Sequence, residues 1–362
     1  MSEHPTDPQH ERVTLSELQQ HYPRVPGYLS ACTAGLPAEA TTAALRAFVD
    51  EWSAGSLDPK RIGAQLEACR ALYGRLVGVA TDRVAIGSQA SQLASVVATA
   101  VPDDGEVLCV VGDFASLTHP FEQLRARGVR VRYAELEHLA AAIDARTSLV
   151  AWSHVQSATG AVSDAAAIAA AARSVGALTC VDLTQAVGWL PVDASSFDVT
   201  ICHAYKWLCA PRGSAFMTVR DGLDDALTPL AAGWYSADDP WSSCYAGRTP
   251  LAAGAGRFDL SPAWPVVAGT VAALETISRI DLRVVHDHAA GLANSARSVL
   301  GLAPGDSAIV TWPDRDGSDL AAMTEAGITA SGRAGNARVA FHLWNTPDDV
   351  ARLQSALGAS AG

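Results

Sequence analysis

The chain has 362 residues, 49% of them hydrophobic, and 26 basic against 38 acidic residues give a formal net charge of −12. This length predicts one large domain with a smaller second one and a sizeable core. Scattered Lys and Arg under a net negative charge argue against a nucleic-acid partner, and no run reaches the roughly 20 apolar residues of a membrane span. The seven cysteines are odd in number and lack paired metal-ligand spacing, so they read as free thiols in a reducing compartment with no metal site. The N-terminus is polar and has no apolar signal segment, which makes the cytoplasm the expected location.

In chain order, the first ten residues read as disordered, and a short helix over 14–22 completes an N-terminal arm, 1–22. The large domain is expected over 23–250. It opens with a short strand at Tyr28-Leu29-Ser30 and two helices, 38–52 and 59–76, whose apolar residues recur at helical spacing. Short apolar runs follow at 83–87, 106–111, 129–133, 148–153, 178–182, 199–203 and 214–219, separated by helical stretches. Runs this short and apolar suit strands covered on both faces. The expected fold is therefore α/β, with a mostly parallel, mixed seven-stranded sheet flanked by helices. Residues 221–262, rich in Trp, Gly, Asp, Ser and Pro, read as an irregular excursion over the site. Helices at 265–280 and 282–299 lead to alternating strand and helix at 307–312, 319–326, 336–343 and 347–357. These belong to a smaller α+β C-terminal domain set at 251–362, with a frayed tail at 358–362.

Active-site residues of an open parallel sheet gather at the carboxyl ends of its strands. Asp182 ends one apolar run, and Lys206 follows the next, 24 residues later. A buried aspartate and a lone lysine at neighbouring strand ends are what pyridoxal phosphate needs. The amine holds the aldehyde as a Schiff base, and the carboxylate keeps the pyridine nitrogen protonated so that the ring accepts electrons. Trp207, Leu208 and the turn Ala210-Pro211-Arg212-Gly213 press apolar structure against the lysine, which lowers its pKa. Ser88 and Gln89 open a helix after a strand, either as a phosphate-binding start or as an ordinary N-cap. Phe114, just past a strand end, is either a ring stacked on the pyridine or a core aromatic. Gln156 or Gln185 is placed to donate to the ring 3-oxygen.

Four stretches, Ser153-His154-Val155-Gln156-Ser157-Ala158-Thr159-Gly160, Val181-Asp182-Leu183-Thr184-Gln185, Tyr205-Lys206-Trp207-Leu208 through Gly213, and Arg338 through Thr346, together resemble the class V aminotransferases. This branch of the fold-type-I pyridoxal phosphate enzymes includes cysteine desulfurases, kynureninases and isopenicillin N epimerases. The likeness runs from about Tyr28 to Leu357. It implies the fold-type-I transferase architecture and a homodimer with shared active sites, completed here through the 234–250 segment, acting on a small-molecule amino-acid substrate. It further implies Lys206 as the cofactor's covalent anchor, Asp182 at the pyridine nitrogen, Phe114 stacked on the ring and Gln185 at the 3-oxygen. Ser88, Gln89 and His203 would lie near the phosphate, and Arg338 would pair bidentately with the substrate carboxylate.

Two departures from the family pattern bear on the chemistry. Tyr205 stands where many members have His before the lysine; it or His203 is the candidate to protonate a leaving group. The last cysteine is Cys244, so the nucleophilic cysteine that a desulfurase of this family needs in its C-terminal region is missing. The excursion, with Trp234, Tyr235 and Trp241 followed by Arg257 through Trp264, resembles the C–S lyases of ergothioneine biosynthesis, which cleave hercynylcysteine sulfoxide. Its tryptophans read either as lid packing or as an aromatic wall for a trimethylammonium group. The resemblance implies β-elimination from a cysteine S-conjugate, giving ergothioneine, pyruvate and ammonia. A cysteine lyase, an epimerase and an aminotransferase remain as alternatives.

Overall fold

A computed structural model describes residues 12–245 and 247–358; the expected disorder of the first ten residues and the fraying beyond Gly358 lie outside the described residues. The seven apolar runs form one sheet from β1 (Val84–Gly87), β2 (Glu106–Val110), β3 (Arg130–Ala134), β4 (Leu149–Ser153), β5 (Leu178–Asp182), β6 (Val199–His203) and β7 (Ala215–Val219). Their spatial order is β1-β7-β6-β5-β4-β2-β3. Strands β2 to β6 run parallel, and β7 lies antiparallel to both of its neighbours. Alternate residues of one strand enter different cores. Leu108, Val110, Val150 and Trp152 join one cluster, while Val107, Cys109, Leu149 and Ala151 join another. Both faces of the sheet are thus covered, which is why its strands read as continuous apolar runs.

A second, antiparallel sheet has the order β8 (Ile309–Pro313), β10 (Asn336–Ala340), β9 (Ser331–Arg333). Ser331-Gly332-Arg333 carries no apolar signal, so β9 is invisible to periodicity. The strand expected over 336–343 stops at Ala340. His342 N donates to Asn345 Oδ1 at 2.8 Å and Asn345 Nδ2 donates to Tyr28 O at 3.0 Å, which turns the chain. The segment around Tyr28 forms isolated bridges, Tyr28 with Thr329 and Ser30 with Ala340, in place of the expected strand. All seven cysteines are unpaired; six are buried and Cys244 is exposed. Among the described residues, no helix is long and apolar enough to cross a membrane.

The excursion returns to the body of the protein at Asp259, which is buried. Its Oδ1 accepts from Ile86 N at 2.7 Å and its Oδ2 from Arg70 Nη2 at 2.5 Å, while Arg70 also donates to Val84 O. One ion pair thereby joins the helix Pro59–Leu76, strand β1 and the chain leading into the helix Trp264–Ile277. Removing one partner of a buried pair leaves an uncompensated charge. Asp259→Ala is therefore expected to cost about 3–5 kcal/mol, read as a fall in the urea midpoint, whereas Arg70→Met combined with Asp259→Leu should recover most of that loss. An Asp259→Ala protein as stable as the wild type would rule out this anchor.

Candidate active site

Parallel pairing brings the ends of β4, β5 and β6 side by side, with Ser153 opposite Asp182 and Asp182 opposite Ile201. The Asp182 carboxylate is buried and its Oδ1 accepts from Thr184 N at 2.8 Å. Burial raises its pKa, against the opposing pull of the Thr184 hydrogen bonds and the charge on Lys206. His203 closes β6. Its N–H donates to Thr184 Oγ1 at 3.0 Å, and its Nε2 accepts from Gly213 N at 3.4 Å. Burial, with help from the cations Lys206 and Arg212, pushes its pKa down to about 4, so the ring is neutral at pH 7.

Lys206 lies three residues beyond β6 and is 5% exposed. Its Nζ stands 5.5 Å from the centre of the Phe114 ring and 5.7 Å from that of Tyr205. Burial lowers its pKa to about 8; Asp182 pulls the other way, and the guanidiniums of Arg338 and Arg333 add to the lowering. Gly35 N donates to Tyr205 O at 2.9 Å, and a Cβ on Gly35 would come within 2.0 Å of Lys206 O. Only glycine lets that turn lie against the lysine's backbone. Phe114 remains 44% exposed, an aromatic face open to solvent beside a buried amine. Its loop is fixed by Asp113, whose carboxylate accepts from Phe114 N at 2.6 Å, Ser153 N at 2.7 Å, Ser153 Oγ at 2.5 Å and Gln156 Nε2 at 3.2 Å. Sequence reasoning passed over Asp113, although an acid just past a strand end was the available signal.

Arg338, on β10, is 1% exposed. Its Nη1 donates to Ser157 O and, at 3.1 Å, to Ser157 Oγ; Nη2 donates to Thr33 Oγ1 at 3.2 Å and Nε to Ser331 Oγ at 3.1 Å. All of these partners are neutral, and no carboxylate pairs with Arg338 among the described residues. A buried cation without an anion is costly, and an anion arriving beside it would offset that cost. Thr33 and Ser331 escaped the sequence reading because nothing local marks them, and Ser157 entered it only as part of a longer stretch, without a role of its own.

The other predicted residues divide. Gln185 is buried with its amide fully engaged: Nε2 donates to Cys32 O and Ser157 Oγ, each at 3.0 Å, and Oε1 accepts from Trp207 Nε1 at 2.8 Å. It ties the lysine's neighbour to the arginine's, and reaching a 3-oxygen would mean exchanging one of these bonds. Ser88 is half-buried and Gln89 exposed at the start of the helix Ala90–Ala98, which has no side-chain cap. A Cβ at Gly87 would approach Gln92 Oε1 to 2.5 Å and Leu93 Cδ2 to 2.7 Å, so the side chains of this helix pack directly against the end of β1. Tyr205 packs edge-on to His203 at 4.4 Å, with the Arg212 guanidinium 5.3 Å from its ring. Trp234 and Tyr235 stand apart. Their ring contacts are with each other, and Trp234 also meets Trp241; neither makes a hydrogen bond or ring contact with Lys206, Asp182 or Arg338 among the described residues.

The family model for aminotransferase class-V matches residues 28–331. The chain belongs to the class V aminotransferase family. It is 27% identical over 363 aligned residues to the uncharacterized aminotransferase YcbU of Bacillus subtilis (strain 168), covering 95% of each chain. Among solved structures, the cysteine desulfurase CsdA (S-sulfonic acid) of Escherichia coli matches with a TM-score of 0.83 at 20% identity, over 96% of this chain and 98% of that one. The cystine C–S lyase C-DES, in complex with its reaction product cysteine persulfide, matches with a TM-score of 0.82 at 19% identity, over 92% and 97%. At these identities the structural likeness establishes the fold. The side chains of this class V member fit pyridoxal phosphate on their own chemistry. They offer a buried amine of lowered pKa, an exposed aromatic face beside it, a buried carboxylate at the neighbouring strand end, and an uncapped helix start.

Proposed function

We propose that this chain is a pyridoxal phosphate-dependent carbon–sulfur lyase that performs β-elimination on a cysteine S-conjugate, specifically hercynylcysteine sulfoxide. Its products are pyruvate, ammonia and a sulfenic acid, which two equivalents of an external thiol reduce to ergothioneine with release of a disulfide and water. The observation that carries this reading is the pairing of Lys206, a buried amine with a pKa of about 8, with the buried and uncompensated Arg338. Together they can grip an amino acid by its carboxylate and take its α-hydrogen. The sulfur end is supported by what the chain lacks: no cysteine follows Cys244. Cys32, which is electrostatically coupled to Lys206 and Arg338, is buried, and burial pushes its thiol pKa up.

The cofactor, when bound, supplies an electron sink that acidifies the α-hydrogen of the amino acid it holds. Ser88, Gln89 and the uncapped helix start would hold its phosphate, with His203 nearby. Phe114 would face its ring, and the Asp182 carboxylate would keep the ring nitrogen protonated. Arg338 orients the substrate carboxylate, and Lys206 Nζ accepts the α-hydrogen as a proton. Tyr205 is the better donor to the departing sulfur. Burial raises its pKa, so it keeps its proton at neutral pH, whereas His203 is neutral with Nε2 already accepting from Gly213. The protein works as a homodimer in which the 234–250 segment completes the partner's site; exposed Leu230, Trp241, Tyr245 and Leu251 around that segment support this.

The test is to mix cofactor-loaded protein with hercynylcysteine sulfoxide and with simple cysteine S-conjugates and to measure pyruvate. Many pyruvates per site are expected, released fastest from the sulfoxide. Inversion of the α-carbon without pyruvate would identify an epimerase. One keto acid per site without ammonia would identify an aminotransferase.

A further inference from the structure

A second cation lies beyond Arg338 on the same face of the small sheet. Strand pairing sets Arg338 opposite Ser331 and Thr311, and the next rung of that face sets Asn336 opposite Arg333 and Pro313. Side chains two residues apart on a strand share a face, so Arg333 stands about 7 Å along β9 from Ser331 on the side that carries Arg338. This face is turned to the ends of the large sheet: Arg338 reaches Ser157, and Thr311 Oγ1 donates to Thr159 O at 3.0 Å. Arg333 is held at the tip of the hairpin by a two-residue turn, Ala334 and Gly335, with φ values of 50° and 76°. Such a turn fixes the register of the strands it joins.

The Arg333 guanidinium is exposed, and its one hydrogen bond among the described residues goes to its neighbour's carbonyl, Gly332 O, at 2.6 Å. No carboxylate pairs with it among the described residues. Its charge is nevertheless felt at Lys206, Arg338 and Tyr205. Two guanidiniums without anions among the described residues, one buried and one exposed, therefore share the face of the small sheet that is turned to the site. We propose that Arg333 is a specificity residue that receives a second negative group, carried on the sulfur-bound part of the substrate. This rests on the lyase reading of the site and narrows its substrates to cysteine S-conjugates with a distal carboxylate.

S-carboxymethyl-L-cysteine and S-carbamoylmethyl-L-cysteine have the same shape and differ by one charge. The wild-type protein should show the lower KM for the acid. Arg333→Gln should raise that KM about fivefold while leaving the amide within about twofold, and Arg333→Lys should keep most of the preference. No change for the acid, or an equal loss for both conjugates, would overturn the assignment. The same comparison by calorimetric binding to the Lys206→Ala protein, supplied with saturating pyridoxal phosphate, needs no turnover. If neither conjugate yields pyruvate yet charge-selective binding depends on Arg333, the lyase reading fails and the Arg333 assignment stands. If pyruvate forms without charge selectivity, the lyase reading stands and the Arg333 assignment fails.

Discussion

Lys206→Ala is expected to lower pyruvate formation by at least about 10⁴-fold and to abolish the visible absorbance of covalently held cofactor. Two tasks fall on one nitrogen, anchoring the cofactor and taking the α-hydrogen, and no other amine is placed beside Phe114 and Tyr205 among the described residues. The fold should survive, because a buried amine costs desolvation that alanine does not, so a retained melting temperature with lost turnover separates chemistry from folding. The same nitrogen sets a pH dependence in the wild-type apoprotein. Its folded-state pKa of about 8 lies below the ordinary 10.5, and only the neutral amine attacks an aldehyde. Covalent uptake of pyridoxal phosphate should therefore quicken about tenfold per pH unit below about pH 8 and level off above it. The unfolded chain keeps this proton to higher pH, so the apoprotein gains stability as pH rises from about 8 towards 10.5. An uptake rate that kept climbing about tenfold per pH unit through about pH 9 and beyond would mean that the amine is not desolvated.

The large sheet was legible because all of its strands except the edge strand β3 are buried on both faces, and a short continuous apolar run has few other uses. The placement of Asp182 and Lys206 was legible for a related reason: parallel strands deliver their ends to one edge, so Asp182 closing one apolar run and Lys206 three residues past the next come to the same edge. The surroundings of Arg338 were not. Thr33, Ser157 and Ser331 are small polar residues in turns or at a strand start, brought together by contacts across most of the chain. Gln185 shows the same limit in another form. Its position three residues past Asp182 suggested a cofactor contact, but a buried amide must satisfy its hydrogen-bonding groups, and Cys32, Ser157 and Trp207 are what lies within reach. Trp234 and Tyr235 drew attention as aromatic residues in a polar segment, and within the chain their ring contacts stay inside that segment.

Arg338→Met should lower kcat/KM by about 10²–10³-fold, in keeping with the few kcal/mol lost when one member of a buried, hydrogen-bonded charge pair is truncated. Arg338→Lys should do little better. Three of the wild-type side chain's nitrogens are assigned to separate partners, Ser331, Ser157 and Thr33, and a point charge on a flexible stem cannot reproduce that planar fork. Unlike the Arg70–Asp259 pair, this guanidinium has no anion in the unliganded protein, so the folded state carries its desolvation without a Coulombic return. Its loss should consequently cost catalysis far more than stability. Carboxylates supply the discriminating measurement. Acetate or propionate should raise the thermal midpoint of the wild type by binding the native state, and should leave that of Arg338→Met unchanged. A residue that merely braced β10 against Ser157 would give the reverse pattern, with a lower midpoint on substitution and carboxylate protection intact.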